Sequence, residues 1–136
     1  MTTGFEINEK LPTDLNKVNP FIEQTFQKIL DLIGANEEIF KVKLALEEAL
    51  TNAMRHGNAL EPGRLVKVRI KAGPKQISLD VHDEGKGFDL QSLPDPTRTD
   101  NVARPSGRGV FLMRSMMDKV EFYDNGSGVK MFKKLS

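Results

Sequence analysis

The chain has 136 residues, of which 38% are hydrophobic and 29% charged, with a mean hydropathy of −0.40. This composition suits one folded domain with its own core over residues 1–136 and excludes a disordered chain. The lack of cysteine excludes disulfides, thiolate metal sites and a cysteine nucleophile, and no apolar run approaches the ~18 residues of a membrane span. The net charge of +1 divides unevenly, −4 over residues 1–63 and +5 over residues 64–136, but the basic residues are scattered. With no Trp and 7% aromatics, a stacking platform for nucleic acid is a poor fit. The first ten residues, MTTGFEINEK, show no secretory signal pattern, so cytoplasm is the expected compartment.

Phe5 and Ile7 alternate with polar neighbours and predict a short first strand. Pro12-Thr13-Asp14 reads as a turn that caps a helix. From Asp14 to Ile33 apolar residues recur at helical spacing, and Pro20 within that run predicts a break or kink near Asn19. Gly34 stops this helix. Asn36 caps the next, with Glu37 and Glu38 in its first turn. The second helix is expected to run to about His56, with Ile39, Val42, Leu46, Ala49, Leu50, Ala53 and Met54 as its buried stripe and Gly57 at C′.

Val66, Val68 and Ile70, then Ile77, Leu79 and Val81, alternate with polar residues on either side of Gly73-Pro74. They predict a hairpin with one apolar and one wet face, and hence a two-layer arrangement with helices on the apolar face. Residues 84–109 are rich in Gly and Pro and lack apolar periodicity, as functional loops often do. A third helix is expected over about Val110 to Asp118. Val120 and Phe122 suggest a further strand, Asp124-Asn125-Gly126 a turn, and Val129 to Leu135 the last strand.

Three stretches carry candidate chemistry. Glu48, Asn52 and His56 are spaced i, i+4, i+8 and stack along one side of the second helix. A solvated face explains most such stripes, but Ala49, Leu50, Ala53 and Met54 flank this one and set it at the edge of a buried face. Asp83 is in phase with Ile77, Leu79 and Val81, so it points to the core side at a strand end. A carboxylate there needs a donor, either the following loop amides or a ligand N–H. Gly85 and Gly87 would let a ligand approach the backbone closely. Finally, Ser106-Gly107-Arg108-Gly109 runs straight into a helix, which makes either an ordinary loop end or an anion site of helix amides.

Taken together, these stretches resemble the nucleotide-binding boxes of the Bergerat-type, histidine-kinase-like ATPases. Glu47-Glu48-Ala49-Leu50-Thr51-Asn52-Ala53-Met54-Arg55-His56-Gly57 resembles the N-box, Asp83-Glu84-Gly85-Lys86-Gly87-Phe88 the first glycine box, and Gly107-Arg108-Gly109-Val110-Phe111-Leu112-Met113 the second. The N-box wording and the small size are most similar to the anti-sigma factor serine/threonine kinases. The resemblance implies an α/β two-layer sandwich, a mixed and mainly antiparallel sheet with three helices on one face, and an ATP lid at about 88–106.

It also implies ATP and Mg²⁺ as cofactors, with Glu48 as general base and Asn52 as the Mg²⁺ ligand. Asp83 would accept from the adenine amino group, Gly85 and Gly87 would flank the base, and Gly107 and Gly109 would bind phosphate. Either Arg104 or Arg108 would reach the phosphates. Ser127, in Gly126-Ser127-Gly128-Val129, stands where many relatives carry a base-binding Thr. His56 is read as packed or capping. The implied function is phosphorylation of a small anti-sigma factor antagonist and regulation of a sigma factor, with a homodimer compatible and neither nucleic acid nor membrane as a direct partner. The alternative is a regulatory module that binds ATP or ADP and grips its partner without phosphoryl transfer.

Overall fold

The computed structural model describes residues 4–85 and 107–135. Gly87, Arg104 and the lid expected at 88–106 lie outside the described residues. In chain order the elements are β1 (Phe5–Pro12), α1 (Val18–Ile33), α2 (Glu37–Asn52), β2 (Leu65–Ala72), β3 (Gln76–His82), α3 (Gly107–Met116), β4 (Lys119–Tyr123) and β5 (Gly128–Lys134). The architecture is the expected α/β two-layer sandwich, a five-stranded sheet in the order β1-β2-β3-β5-β4 with the three helices over one face. Every described pairing is antiparallel, so the parallel component allowed for in a mixed sheet is not among them.

Strand alternation sets the layers. Val66, Val68, Ile70, Ile77, Leu79, Val81, Val129 and Met131 are buried against the helices, while Lys67, Arg69, Lys71 and Lys130 face outward. α2 is the central helix. It packs on α1 and α3 and on β3 and β5, and Val42, Ala45, Leu46 and Leu50 on it are fully buried. The last strand inserts between β3 and β4, so the end of β3 lies beside the start of β5.

The helix ends differ from expectation in two places. The break expected near Asn19 falls between Lys17 and Val18. A 3₁₀ turn, Leu15–Lys17, is capped by Asp14, whose side chain accepts from the Asn16 amide at 2.9 Å, and α1 begins at Val18. Pro20 thus sits in the first turn, where its missing N–H has no intrahelical partner to lose. The second correction concerns Gly57. After Asn52 the chain tightens into no cap but widens into a π-helical turn, Ala53–Gly57, and the left-handed residues are Ala59 (φ 51°) and Leu60 (φ 57°). Gly57 is therefore not a C′ glycine. It is glycine for a spatial reason that the site makes plain.

Candidate active site

A cavity of about 150 Å³ opens between the C-terminal part of α2, the end of β3, α3 and the turn before β5. Ala49, Ala53, Val81, Met113 and Phe122 give it apolar walls, and Asn52, Asp83 and Ser127 add polar groups. Asp83 is only 5% exposed. Its Oδ1 accepts from the Gly85 amide at 2.7 Å, and its own amide donates to the Ser127 carbonyl at 2.9 Å. Burial holds its carboxyl above the ordinary range, against the opposing hydrogen bond from Gly85 and the charges of His82 and Arg64.

Two glycines make room for this carboxylate. A Cβ on Gly57 would collide with the Asp83 carboxylate, and a Cβ on Gly85 would collide with the Gly57 carbonyl. The π turn, Asp83 and Gly85 therefore interlock, with no space for a methyl group at either glycine.

Glu48 and Asn52 are both half-buried on α2. Burial raises the Glu48 carboxyl above its ordinary range, Glu47 adds to this, and Arg108 works against it. The start of α3 comes down beside the pair. A Cβ on Gly109 would lie 2.6 Å from Asn52 Nδ2 and 3.1 Å from Glu48 Oε2. A helix start, where the dipole is positive, thus abuts a carboxylate and a carboxamide. Gly107 opens this helix and Arg108 follows it, exposed.

A histidine kinase-like ATPase domain matches residues 11–133 of the chain. The chain belongs to this family. Its relatives include the anti-sigma F factor of Clostridium perfringens, 32% identical over 74% of this chain and 75% of the relative. The anti-sigma F factor of Clostridium novyi is 35% identical over 73% of each chain. The serine-protein kinase RsbW of Bacillus subtilis is 33% identical over 90% of this chain and 80% of the relative. Within the histidine kinase-like ATPases the chain thus falls in the anti-sigma factor serine kinase group, and its ligand class is ATP.

Set on this ATPase domain, the sequence-derived residues fall into three sets. Asn52, Asp83 and Ser127 border one cavity, and His56 lines its edge but is exposed rather than packed as expected; partial desolvation, then Arg55, lowers its imidazole below the ordinary range. Glu48, Asn52 and Gly109 meet at the start of α3. Gly87 and Arg104 are outside the described residues. Among the described residues no three His, Asp or Glu side chains converge to hold a metal.

One residue of the site architecture escaped the sequence reading. Asn58 is fully buried. Its Nδ2 donates to Thr13 Oγ1 at 2.9 Å and to the Leu65 carbonyl at 3.1 Å, and its Oδ1 accepts from the Glu84 amide at 2.8 Å. It ties the end of the π turn to Thr13 just after β1, to β2 and to the loop that carries Asp83 and Gly85. The available signal was an Asn directly after the helix-ending Gly57, which reads as ordinary turn chemistry.

Proposed function

We propose that this protein is an ATP-dependent serine/threonine protein kinase of the anti-sigma factor type, working in the cytoplasm. It would phosphorylate a small anti-sigma factor antagonist and regulate a sigma factor. The observation that carries the reading is the approach of the α3 start to both Glu48 and Asn52, a carboxylate and a carboxamide beside a helix N-terminus.

The residues fit the implied ligands. The cavity offers apolar walls to a flat base and a buried carboxylate to an exocyclic amino group, which is the donor pattern of adenine. Asp83 would accept from that amino group, Gly85 and Gly87 would pass beside the base, and Ser127 would stand at its edge. The amides of Gly107 and Gly109 would receive phosphate, aided by Arg104 or Arg108. Asn52 offers a hard carboxamide oxygen suited to Mg²⁺, with phosphate and water completing the shell. Bound there, the metal supplies charge neutralisation.

Phosphoryl transfer asks the protein mainly for positioning and electrostatics. Glu48 would take the proton of the substrate hydroxyl while the new oxygen–phosphorus bond forms and ADP leaves. Its raised carboxyl pKa makes it a better proton acceptor at neutral pH than an ordinary surface glutamate. The test is transfer of labelled phosphate from ATP to an antagonist protein. Glu48→Gln should keep Mg-ATP binding and lose about 10²- to 10⁴-fold in transfer. Asn52→Ala should lose the Mg²⁺-dependent part of ATP affinity. A wild-type protein that binds ATP but labels no antagonist would indicate the non-catalytic module instead.

A further inference from the structure

The wet face of the sheet carries a second polar cluster, directly behind the cavity. His82, the last residue of β3, stacks on Tyr123 with ring centroids 5.5 Å apart. Its Nε2 lies 3.0 Å from Asp124 Oδ2 and 3.4 Å from Ser127 Oγ. Ser127 Oγ itself donates to the Asp124 carbonyl at 2.8 Å, so its hydroxyl proton is committed and Nε2–H must be the donor to both oxygens. Tyr123 in turn donates to Asp80, and Lys130 lies 5.2 Å over the Tyr123 ring.

This cluster grips an unusual turn. Asp124 (φ 50°), Asn125 (φ 58°) and Gly126 (φ 93°) are three successive left-handed residues, two of them with side chains. Such runs persist only where neighbouring contacts hold them, and they gather at ligand clamps. The turn ends at Ser127, which borders the cavity and accepts from the Asp83 amide. A chain of contacts therefore runs from the open face of the sheet to both polar groups at that wall of the cavity.

We propose that His82 is a positioning residue for base recognition. By donating from Nε2 to Asp124 and Ser127 it holds the left-handed turn, and through it Ser127 and the Asp83 backbone, in the geometry that reads the adenine edge. The proposal rests on the reading that the cavity holds adenine. It assigns His82 no contact with the nucleotide.

The test compares ADP with IDP, whose base has a carbonyl in place of the amino group, by calorimetry on the full chain. His82→Ala should weaken ADP binding about fivefold, the worth of one net hydrogen bond, and IDP binding much less, so the ADP-to-IDP ratio falls. His82→Gln, which keeps a donor near the Nε2 position, should restore the ratio to within about twofold of wild type. Asp124→Ala should act in the same direction, and the double variant should lose little more than either single change. Unchanged ADP and IDP affinities in His82→Ala would overturn the proposal, as would equal losses for both ligands accompanied by a lower melting temperature. A wild-type protein that binds neither ligand would instead overturn the adenine reading, and this proposal with it.

Discussion

The two ends of α2 are built to opposite rules. At its N-terminal end Glu38, Lys41, Lys43 and Lys133 all stand in ion pairs. Asn36 accepts from the Glu38 amide at 2.8 Å and donates to the Leu135 carbonyl at 3.1 Å. Lys133, 7% exposed, sits between Glu38 at 2.8 Å and Asp118 at 3.5 Å. The hydrogen bond from Lys133 and then that from Lys41 lower the Glu38 carboxyl, and the Lys134 amide and then Lys133 lower that of Asp118. At the C-terminal end burial raises the carboxyls of Glu48 and Asp83, and the backbone runs through a π turn and left-handed Ala59 and Leu60. One end lowers its carboxyls through ion pairs and hydrogen bonds. The other raises them by burial, a perturbation that gathers at functional sites.

Four predictions sharpen or break this contrast. The largest effect should come from Gly85→Ala, whose methyl group meets the Gly57 carbonyl, a backbone atom with no freedom to yield. A stability loss of about 3 kcal/mol is expected, read by urea unfolding. The atoms nearest a Gly57→Ala methyl all belong to the Asp83 side chain, which can rotate where a backbone carbonyl cannot. This variant should cost about 1–2 kcal/mol of stability, less than Gly85→Ala, and yet weaken ADP binding at least about tenfold, because Asp83 must swing away from the Gly85 amide. Equal stability losses for the two variants would break the interlock argument.

Asn58→Ala comes next. It strips a buried amide from three partners, and a loss of about 2 kcal/mol is expected in urea. The Glu84 and Gly85 amides should also exchange faster by hydrogen exchange, while those of α1 should not.

Asp83→Asn tests the end with raised carboxyls from the side of function. Its amide presents a donor as well as an acceptor to the base, and ADP affinity should fall about tenfold by calorimetry. Stability should move the other way. A carboxyl whose folded pKa is raised contributes stability that is fully present below its ordinary value and lost as pH rises through the raised one. The Asn variant has no such loss, so at pH 7 it should unfold at an equal or higher urea midpoint than wild type. The gap should close on acidification, and Glu48→Gln should show the same sign.

The smallest effect belongs to the compensated end. Lys133→Met replaces a paired ammonium by an apolar group of similar reach, and the urea midpoint at pH 7 should change little. Glu38 and Asp118, with lowered folded pKa values, contribute stability above the ordinary carboxylate range that is lost as pH falls through the lowered values. The variant should therefore lose less stability than wild type on acidification. A large loss at pH 7 would show that the ion pairs, and not the core around them, hold this end.

Much of the fold was legible because it rests on local rules. Alternation in β2 and β3 predicted which face is buried, Asn36 and Gly34 marked helix ends, and the parity of Asp83 put it inside. The break near Pro20 was expected, but not its exact place, because a proline tolerated in a first turn looks, in sequence, like one that breaks a helix. Gly57 was misread because a glycine needed for φ and one needed for clearance are the same letter. The roles of His82 and Asn58 were hidden for a related reason. Their partners lie up to 45 residues away, at Thr13 for Asn58 and at Ser127 for His82.

The sequence by itself determined the two layers, the apolar face of the sheet, the capped start of α2 and the residue types gathered at its far end. Periodicity and capping act over a few residues, so a linear reading can find them. Only the tertiary structure decided that β5 enters between β3 and β4, which sets Ser127 against Asp83. It alone brought Gly109 down onto Glu48 and Asn52, and locked Gly57 against Asp83 and Gly85. These contacts depend on strand order and on close packing between distant segments, and no short-range pattern encodes either.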